Sequence, residues 1–194
     1  ELPVVVFRPS IVVGDSTTGR VKDFNVLYTP LNLIWRGDLN ILPCASNTPL
    51  DVVPVDYVSA AIRHILFRIE WCEGRTFHIV AGRDKVNTVE DIVDAAVRYF
   101  ETAMPHAKKS RVRYVNPRLF HPAVSLTSSR EKRLSNLLEV YAPYLRQKRY
   151  FDNSNTRSAL RGTDIIPRGL SDYISILLKY CLETEWGKVY RQVA

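Results

Sequence analysis

The run Val4-Val5-Val6-Phe7, closed by Arg8-Pro9, restricts the possible folds more than any other stretch of this chain. Three β-branched residues and an aromatic follow one another with no polar alternation. That is the pattern of a strand covered on both faces, as in a parallel sheet flanked by helices. Pro9 ends the run because it has no backbone N–H to give the ladder. In open parallel sheets, ligands gather outside the carboxyl ends of the strands. The loop that follows, from Ser10 through Gly14 to Gly19 and Arg20, is therefore expected to face a ligand. A chain that opens on such a strand, with no initiator Met, reads as part of something longer.

The remaining pattern alternates helices and short extended pieces. Residues 21–36 carry Phe24, Leu27, Tyr28, Leu31, Ile34 and Trp35 at helical spacing, and Pro30 is expected to split or kink that helix. Residues 39–43 and 50–54 are short extended pieces. Asp56 reads as the N-cap of a helix with Val58, Ile62, Ile65 and Leu66 on one face. Thr76-Phe77-His78-Ile79-Val80 reads as a strand, and Asn87 with Glu90 as a capping box for a helix running to Phe100. Val112-Arg113-Tyr114-Val115 is another strand. Helices are expected around 119–124 and 131–145, and a final amphipathic helix carries Leu170, Ile174, Leu177, Leu178, Cys181 and Leu182. A division near residue 105 separates an α/β part, 1–105, from a mostly helical tail, 106–194.

Composition removes several function classes. At 194 residues and 46% hydrophobic, the chain can bury one ordinary core, with room for a small appendage. No apolar run approaches the roughly 18 residues of a membrane span. Cys44, Cys72 and Cys181 form no C-x-x-C pair, and with four scattered His they give no zinc spacing. They read as reduced thiols of a cytoplasmic protein, with no metal site. The net charge of +7 gathers late, at Lys108, Lys109, Arg111, Arg113, Arg130, Lys132, Arg133, Arg146, Lys148 and Arg149. It suggests an acidic partner or a solvated basic face. No zinc finger, RNA-recognition signature or basic zipper accompanies it, so nucleic acid is not the expected partner.

Two motifs mimic familiar chemistry. The loop 14–19 has the Gly-x-x-x-x-Gly of a phosphate-binding loop, but Arg20 and Val21 stand where Lys and Ser or Thr are needed. Valine cannot ligate magnesium, and arginine's planar fork poorly replaces a compact ammonium. Tyr144 and Lys148 form a literal Tyr-x-x-x-Lys, the pair in which Lys lowers the Tyr pKa for proton donation. Their place, far beyond the strand such a pair should precede, argues for a solvated helix end.

The sequence from Val5 to Gly19, followed by Val53-Pro54-Val55-Asp56-Tyr57-Val58, resembles the extended short-chain dehydrogenase/reductase superfamily. Within it the likeness is to the male-sterility type: fatty acyl-CoA reductases and thioester-reductase domains. Tyr150-Phe151-Asp152-Asn153-Ser154-Asn155-Thr156 is similar to the region after the core domain of acyl-CoA reductases. The resemblance implies an α/β fold: an incomplete Rossmann-type parallel sheet, its C-terminal half, with a helical substrate-binding tail. It implies NADPH as cofactor and an acyl thioester, on coenzyme A or an acyl-carrier protein, reduced to aldehyde or alcohol. The backbone at Pro9, Ser10, Ile11 and Val12 would lie against the nicotinamide carboxamide, which needs one donor and one acceptor. Gly14, Asp15, Ser16, Thr18, Lys22 and Asp56 would border the substrate, although capping roles suit Asp15, Ser16, Thr18 and Asp56 as well. The aromatic stretch 24–35 would be plain core or an acyl-chain channel.

The catalytic Tyr and Lys and the Gly-rich dinucleotide turn belong upstream of Val4, in a missing N-terminal Rossmann half that would act as a partner. The chain alone is then expected to be inactive. A homo-oligomer is compatible with this. A nucleotide-sugar epimerase or dehydratase of the same superfamily is the enzyme alternative, disfavoured because Val13-Gly14-Asp15 replaces an aromatic-Gly-Pro. A non-catalytic docking module for an acidic carrier protein is the other.

Overall fold

The computed structural model describes residues 4–24, 26–68, 72–103, 111–116, 145 and 149–189. In chain order the strands and helices are β1 (Val6–Pro9), β2 (Ile11–Val13), α1 (Tyr28–Trp35), β3 (Ile41–Leu42), β4 (Pro49–Leu50), β5 (Val52–Pro54), α2 (Val55–Leu66), β6 (Thr76–Ile79), β7 (Asn87–Thr88), α3 (Val89–Ala103), β8 (Arg113–Tyr114), α4 (Ser154–Ala159) and α5 (Ile174–Glu183). A 3₁₀ turn, Leu170–Asp172, leads into α5. The pairs β1–β6, β2–β5 and β3–β8 are parallel, so the fold is α/β with short parallel strands joined by crossovers. Among the described residues no helix is long and apolar enough to cross a membrane.

The chain gathers into two compact units: Glu1–Phe24, Asp51–Asn87 and Tyr150–Ala194 form one, Asn25–Leu50 and Thr88–Arg149 the other. This partition differs from the linear division at residue 105. Sequence distance does not decide the grouping, because residues 150–189 gather in one unit with the opening strand, far from them along the chain.

In the first unit, β1 matches Val6, Phe7, Arg8 and Pro9 to Thr76, Phe77, His78 and Ile79 of β6, while β2 matches Ile11, Val12 and Val13 to Val52, Val53 and Pro54 of β5. The core holds Val53, Tyr57, Ala61, Ile65, Phe77 and Ile79, all buried, with Val5, Phe7 and Val12 packed against it. The opening strand departs from its expected coverage. Val5 and Phe7 turn inward, but Val4 and Val6 are 56% and 38% exposed. The strand has a partner on one edge among the described residues, and its alternate residues face away from the only core it meets. A continuous apolar run shows that both faces suit burial, not that both are covered.

The tail closes the far edge of β6. The Asn155 side-chain amide donates to the Thr76 carbonyl at 2.9 Å, and the buried Thr156 hydroxyl donates to the His78 carbonyl at 2.8 Å. A ring nitrogen of His78, Nδ1, lies 3.0 Å from the Asp152 carbonyl. Carbonyls to which the N–H groups of a further strand would have donated are thus satisfied by side chains of α4. In α5, Ile174, Leu177, Leu178 and Cys181 are buried at helical spacing, as the apolar stripe predicts.

In the second unit, α1 begins two residues before Pro30, which therefore sits in the first turn, where no intrahelical N–H is required. Pro30 neither splits nor kinks the helix. Tyr28, Leu31 and Ile34 are buried, so this face is core. Trp35 packs on Phe100 of α3 with ring centroids 5.2 Å apart. The box opening α3 is Thr88 with Asp91, one residue from the expected Asn87 and Glu90. The Asp91 amide donates to the Thr88 hydroxyl oxygen, and the Thr88 amide donates to the Asp91 carboxylate. The Thr88 hydroxyl, which donates to the same carboxylate at 2.7 Å, and after it the Thr88 amide hold the Asp91 carboxyl below the usual carboxylate range. Strand β8 is the expected one, whereas the helices expected at 119–124 and 131–145 lie outside the described residues except for Leu145, which is buried.

Candidate functional site

Pro9 is the last residue of β1, and Ser10 connects it to β2. The Ser10 amide donates to the Ile79 carbonyl at 3.1 Å and the Ile11 amide to the Asp51 carbonyl at 3.3 Å. The donor of Ile11, one of two candidates for a carboxamide contact, is therefore occupied. Backbone groups alternate between the two edges of a strand, so those of Val12 face away from β5. The Ser10 hydroxyl oxygen is buried and has no hydrogen-bond partner among the described residues. This exit of the sheet thus holds an orphaned hydroxyl next to a strand edge that is unpaired among the described residues, a donor and acceptor set that fits a carboxamide.

The loop 14–19 is closed upon itself. Oδ1 of Asp15 accepts the amides of Thr17 and Thr18 at 2.9 and 2.7 Å and the Thr18 hydroxyl at 2.9 Å. The Asp15 amide donates to the Arg20 carbonyl, and the Gly19 amide to the Asp15 carbonyl. The bond from the Thr18 amide, with that from Thr17, holds the Asp15 carboxyl below its ordinary value. Ser16 is buried at 2% exposure, and both its donors meet Asp56, the amide at 2.9 Å on one oxygen and the hydroxyl at 2.7 Å on the other.

One correction follows. Asp56 is not the N-cap of α2. Pro54 holds that position in extended conformation, and Asp56 stands in the first turn, where its charge suits the helix dipole. Its carboxylate ties the loop down instead. A phosphate-cradling role for the loop is also removed on geometric grounds, because carboxylates already take the amides of Ser16, Thr17 and Thr18.

Gly19 completes the clamp. Its φ is +74°, and a Cβ there would lie 2.5 Å from the Ile176 carbonyl oxygen and 2.7 Å from Tyr180 Cβ of α5. Only glycine allows both the left-handed turn and the close approach. Gly14 is buried, while Thr18 and Lys22 are exposed at the surface of the unit. Among the residues expected to border substrate, then, Ser16 and Asp56 are joined, Asp15 and Thr18 are joined, and Lys22 has no part in either set. Tyr144 and Lys148 lie outside the described residues.

The sequence reading missed a cavity of about 800 Å³ in the same unit. Tyr57, Gly82, Thr156 and Leu160 line its floor, and Arg83, Lys85, Arg157 and Arg161 supply cations. Gly82 has φ +82°, and a Cβ there would meet the Asn153 side-chain nitrogen at 2.8 Å, which pins the loop 82–86 against the tail. The Arg83 guanidinium lies 5.0 Å from the centre of the Tyr150 ring. Burial pushes the Tyr57 phenol up to about 12, with a smaller contribution from the charge on Asp51, so it stays a hydrogen-bond donor at neutral pH. The one sequence signal for this region was the similarity over 150–156.

Residues 1–62 match the family model described as Male sterility protein. The chain is 29% identical over 167 residues to the aldehyde reductase lnaA of Aspergillus flavus, a match covering 81% of this chain and 15% of the relative. Among solved structures, the terminal R domain from the myxalamid PKS-NRPS biosynthetic pathway superimposes with TM-score 0.69 at 23% identity, over 95% of this chain and 45% of that one. The epimerase Mth375 of Methanothermobacter thermautotrophicus gives TM-score 0.62 at 13% identity, over 98% of this chain and 46% of that one. The chain thus spans under half the length of these structures and far less of the curated relative. The likeness read from the first strand and loop stands, and the α/β fold is like that of part of the R domain and of the epimerase.

Proposed function

We propose, for a chain whose opening carries the male-sterility signature on an extended short-chain reductase fold, that it is the C-terminal part of a reductase of acyl thioesters. The cofactor would be a nicotinamide dinucleotide, NADPH, which supplies hydride when bound. The substrate would be an acyl group on coenzyme A or a carrier protein, leaving as aldehyde or alcohol. The observation that carries this reading is the family match over residues 1–62, the stretch that contains the strand exit with its orphaned Ser10 hydroxyl and the outward edge of Val12.

In this reading Val12 and Ser10 orient the carboxamide, so that one face of the nicotinamide meets the thioester carbonyl. Loop 14–19 gives that cleft a fixed wall, because Asp56 and Asp15 leave it no unbonded amide with which to rearrange. Asp15, Ser16, Thr18 and Asp56 are then positioning residues, and Lys22 remains free to touch substrate. Protonation of the developing alkoxide falls to a Tyr assisted by Lys from the preceding half of the enzyme. The exposed Val4 and Val6 support such a half: they form an apolar strand face suited to a helix layer.

The test is the full reading frame, expressed with whatever precedes Glu1 and given acyl-CoA or acyl-carrier protein while NADPH absorbance and thiol release are followed. Thioester-dependent NADPH oxidation with release of free thiol is expected. Failure with both carriers, together with conversion of a nucleotide sugar without net NADPH consumption, would replace this reading by the epimerase one.

A further inference from the structure

The cavity between the loop 82–86 and the tail belongs to neither the strand exit nor loop 14–19, and its charges are unusually free. Arg83, Lys85, Arg157 and Arg161 border it, and among the described residues none of them has a carboxylate within ion-pair distance. Arg157 lies in α4 and Arg161 one turn later, just past its end, so the two side chains follow each other along one side of the tail. Of the two acids on the wall, Asp152 is engaged: its carboxylate accepts the Ser154 amide at 2.9 Å and hydroxyl at 3.1 Å. Asp84 is the other. The wall therefore keeps an excess of positive charge facing a concave space.

Apart from Asn153, Thr156 and Thr163, the rest of the lining is apolar or aromatic. Tyr150 and Phe151 are 52% and 41% exposed, and Ile166 is 69% exposed. Large apolar side chains left open beside unpaired cations, around a volume in the range of small-molecule sites, describe a ligand with two parts. One part is an anion with several acceptor oxygens, which arginines bind through paired N–H groups. The other is a planar or apolar organic group that rests on the aromatic rim. The Tyr57 phenol, held protonated by burial, adds one donor from the floor.

We propose that this cavity binds an organic phosphate, its phosphate on Arg157, Arg161 and Lys85 and its organic part on Tyr150 and Phe151. The inference rests on the proposed thioester chemistry for its choice of ligand: the phosphorylated handle by which the acyl group is carried. That handle has two sources, the nucleotide end of coenzyme A and the phosphopantetheine arm shared with a carrier protein. The site holds the handle and takes no part in the bond changes.

The whole 194-residue chain is titrated by calorimetry with adenosine 3′,5′-bisphosphate, with pantetheine 4′-phosphate and with inorganic phosphate. At least one organic phosphate is expected to bind saturably and about tenfold more tightly than inorganic phosphate, which corresponds to one additional good contact. The double variant Arg157→Gln/Arg161→Gln is expected to lose about tenfold or more, as for charge-assisted bonds. Tyr150→Ala should weaken the organic phosphates and leave inorganic phosphate unchanged, and Lys179→Gln on α5 should alter neither. A preference for the bisphosphate assigns the nucleotide end, and one for the pantetheine compound assigns the carrier arm. The proposal is overturned if the chain, shown to be folded by circular dichroism, binds no organic phosphate, or if the double variant binds as well as the wild type. No nicotinamide enters this titration, so intact binding with a failed reductase assay sinks only the function, and the reverse sinks only the cavity.

Discussion

Two loops of the same unit, 14–19 and 82–86, both follow a parallel strand, and both contain a glycine at positive φ pressed against the tail. They use polar groups in opposite ways. In the first, the amides of residues 16–18 and the hydroxyls of Ser16 and Thr18 are taken by two carboxylates, Asp15 and Asp56. In the second, the charged side chains at its tip have no ionic partner among the described residues and border a cavity. The first is built to hold a shape and the second to meet something. A Gly-rich sequence with polar residues announces either outcome, and only the partners distinguish them.

The largest effect that would test this contrast is at Gly19. Gly19→Val adds left-handed strain and a clash with the Ile176 carbonyl, so denaturant unfolding should show a loss of about 3 kcal/mol. A loss below about 1 kcal/mol would mean that the loop is not clamped. Next comes Asp56→Ala, which strands the amide and hydroxyl of buried Ser16 and should cost about 2 kcal/mol, whereas Ser16→Ala removes donor and need together and should cost less. On the tail, Thr156→Val leaves the His78 carbonyl without its hydroxyl donor, an expected loss of about 1 kcal/mol in the same assay.

Acid provides a further test of the locked loop. The Asp15 carboxyl is held below its ordinary value of 3.8 in the fold, so its contribution is complete above that pH. It disappears as pH falls through the lower folded value, where the native state too becomes protonated. Asp15→Asn should therefore flatten the acid limb of a plot of unfolding midpoint against pH, and an unchanged limb would remove Asp15 from the clamp. The smallest effect belongs to the open loop's side of the cavity. Arg157→Gln/Arg161→Gln should change stability by no more than about 0.5 kcal/mol, because neither cation has an ionic partner among the described residues. A larger loss would mean that these arginines hold the fold rather than a ligand.

Much of the architecture could be read from local pattern. The stripes of α2, α3 and α5 and the strands β1, β6 and β8 appear where apolar period and β-branched runs place them, since those signals depend on neighbours along the chain. What failed was set across space. Asp56 looks like a cap because Asp before an apolar stripe usually is one, yet its partner is Ser16, forty positions away. Asn87 looks like half of a capping box, but its side-chain oxygen accepts the Leu170 amide at 2.9 Å, and Thr88 does the capping. The double coverage expected of Val4 and Val6 needed a second layer, whose presence local sequence cannot report. Of the candidate site, the strand exit was legible and the cavity was not, because its wall is assembled from 57, 81–85 and 150–167.

The side chains that seal the outer rim of β6 come from residues 78 and 79 positions further along. During synthesis that strand leaves the ribosome long before its seal exists, and throughout that interval its carbonyls are open to any passing extended peptide. Chains cut short ahead of Asn155 would keep this vulnerability permanently, and the expected fate is cross-chain pairing and precipitation rather than a smaller soluble product.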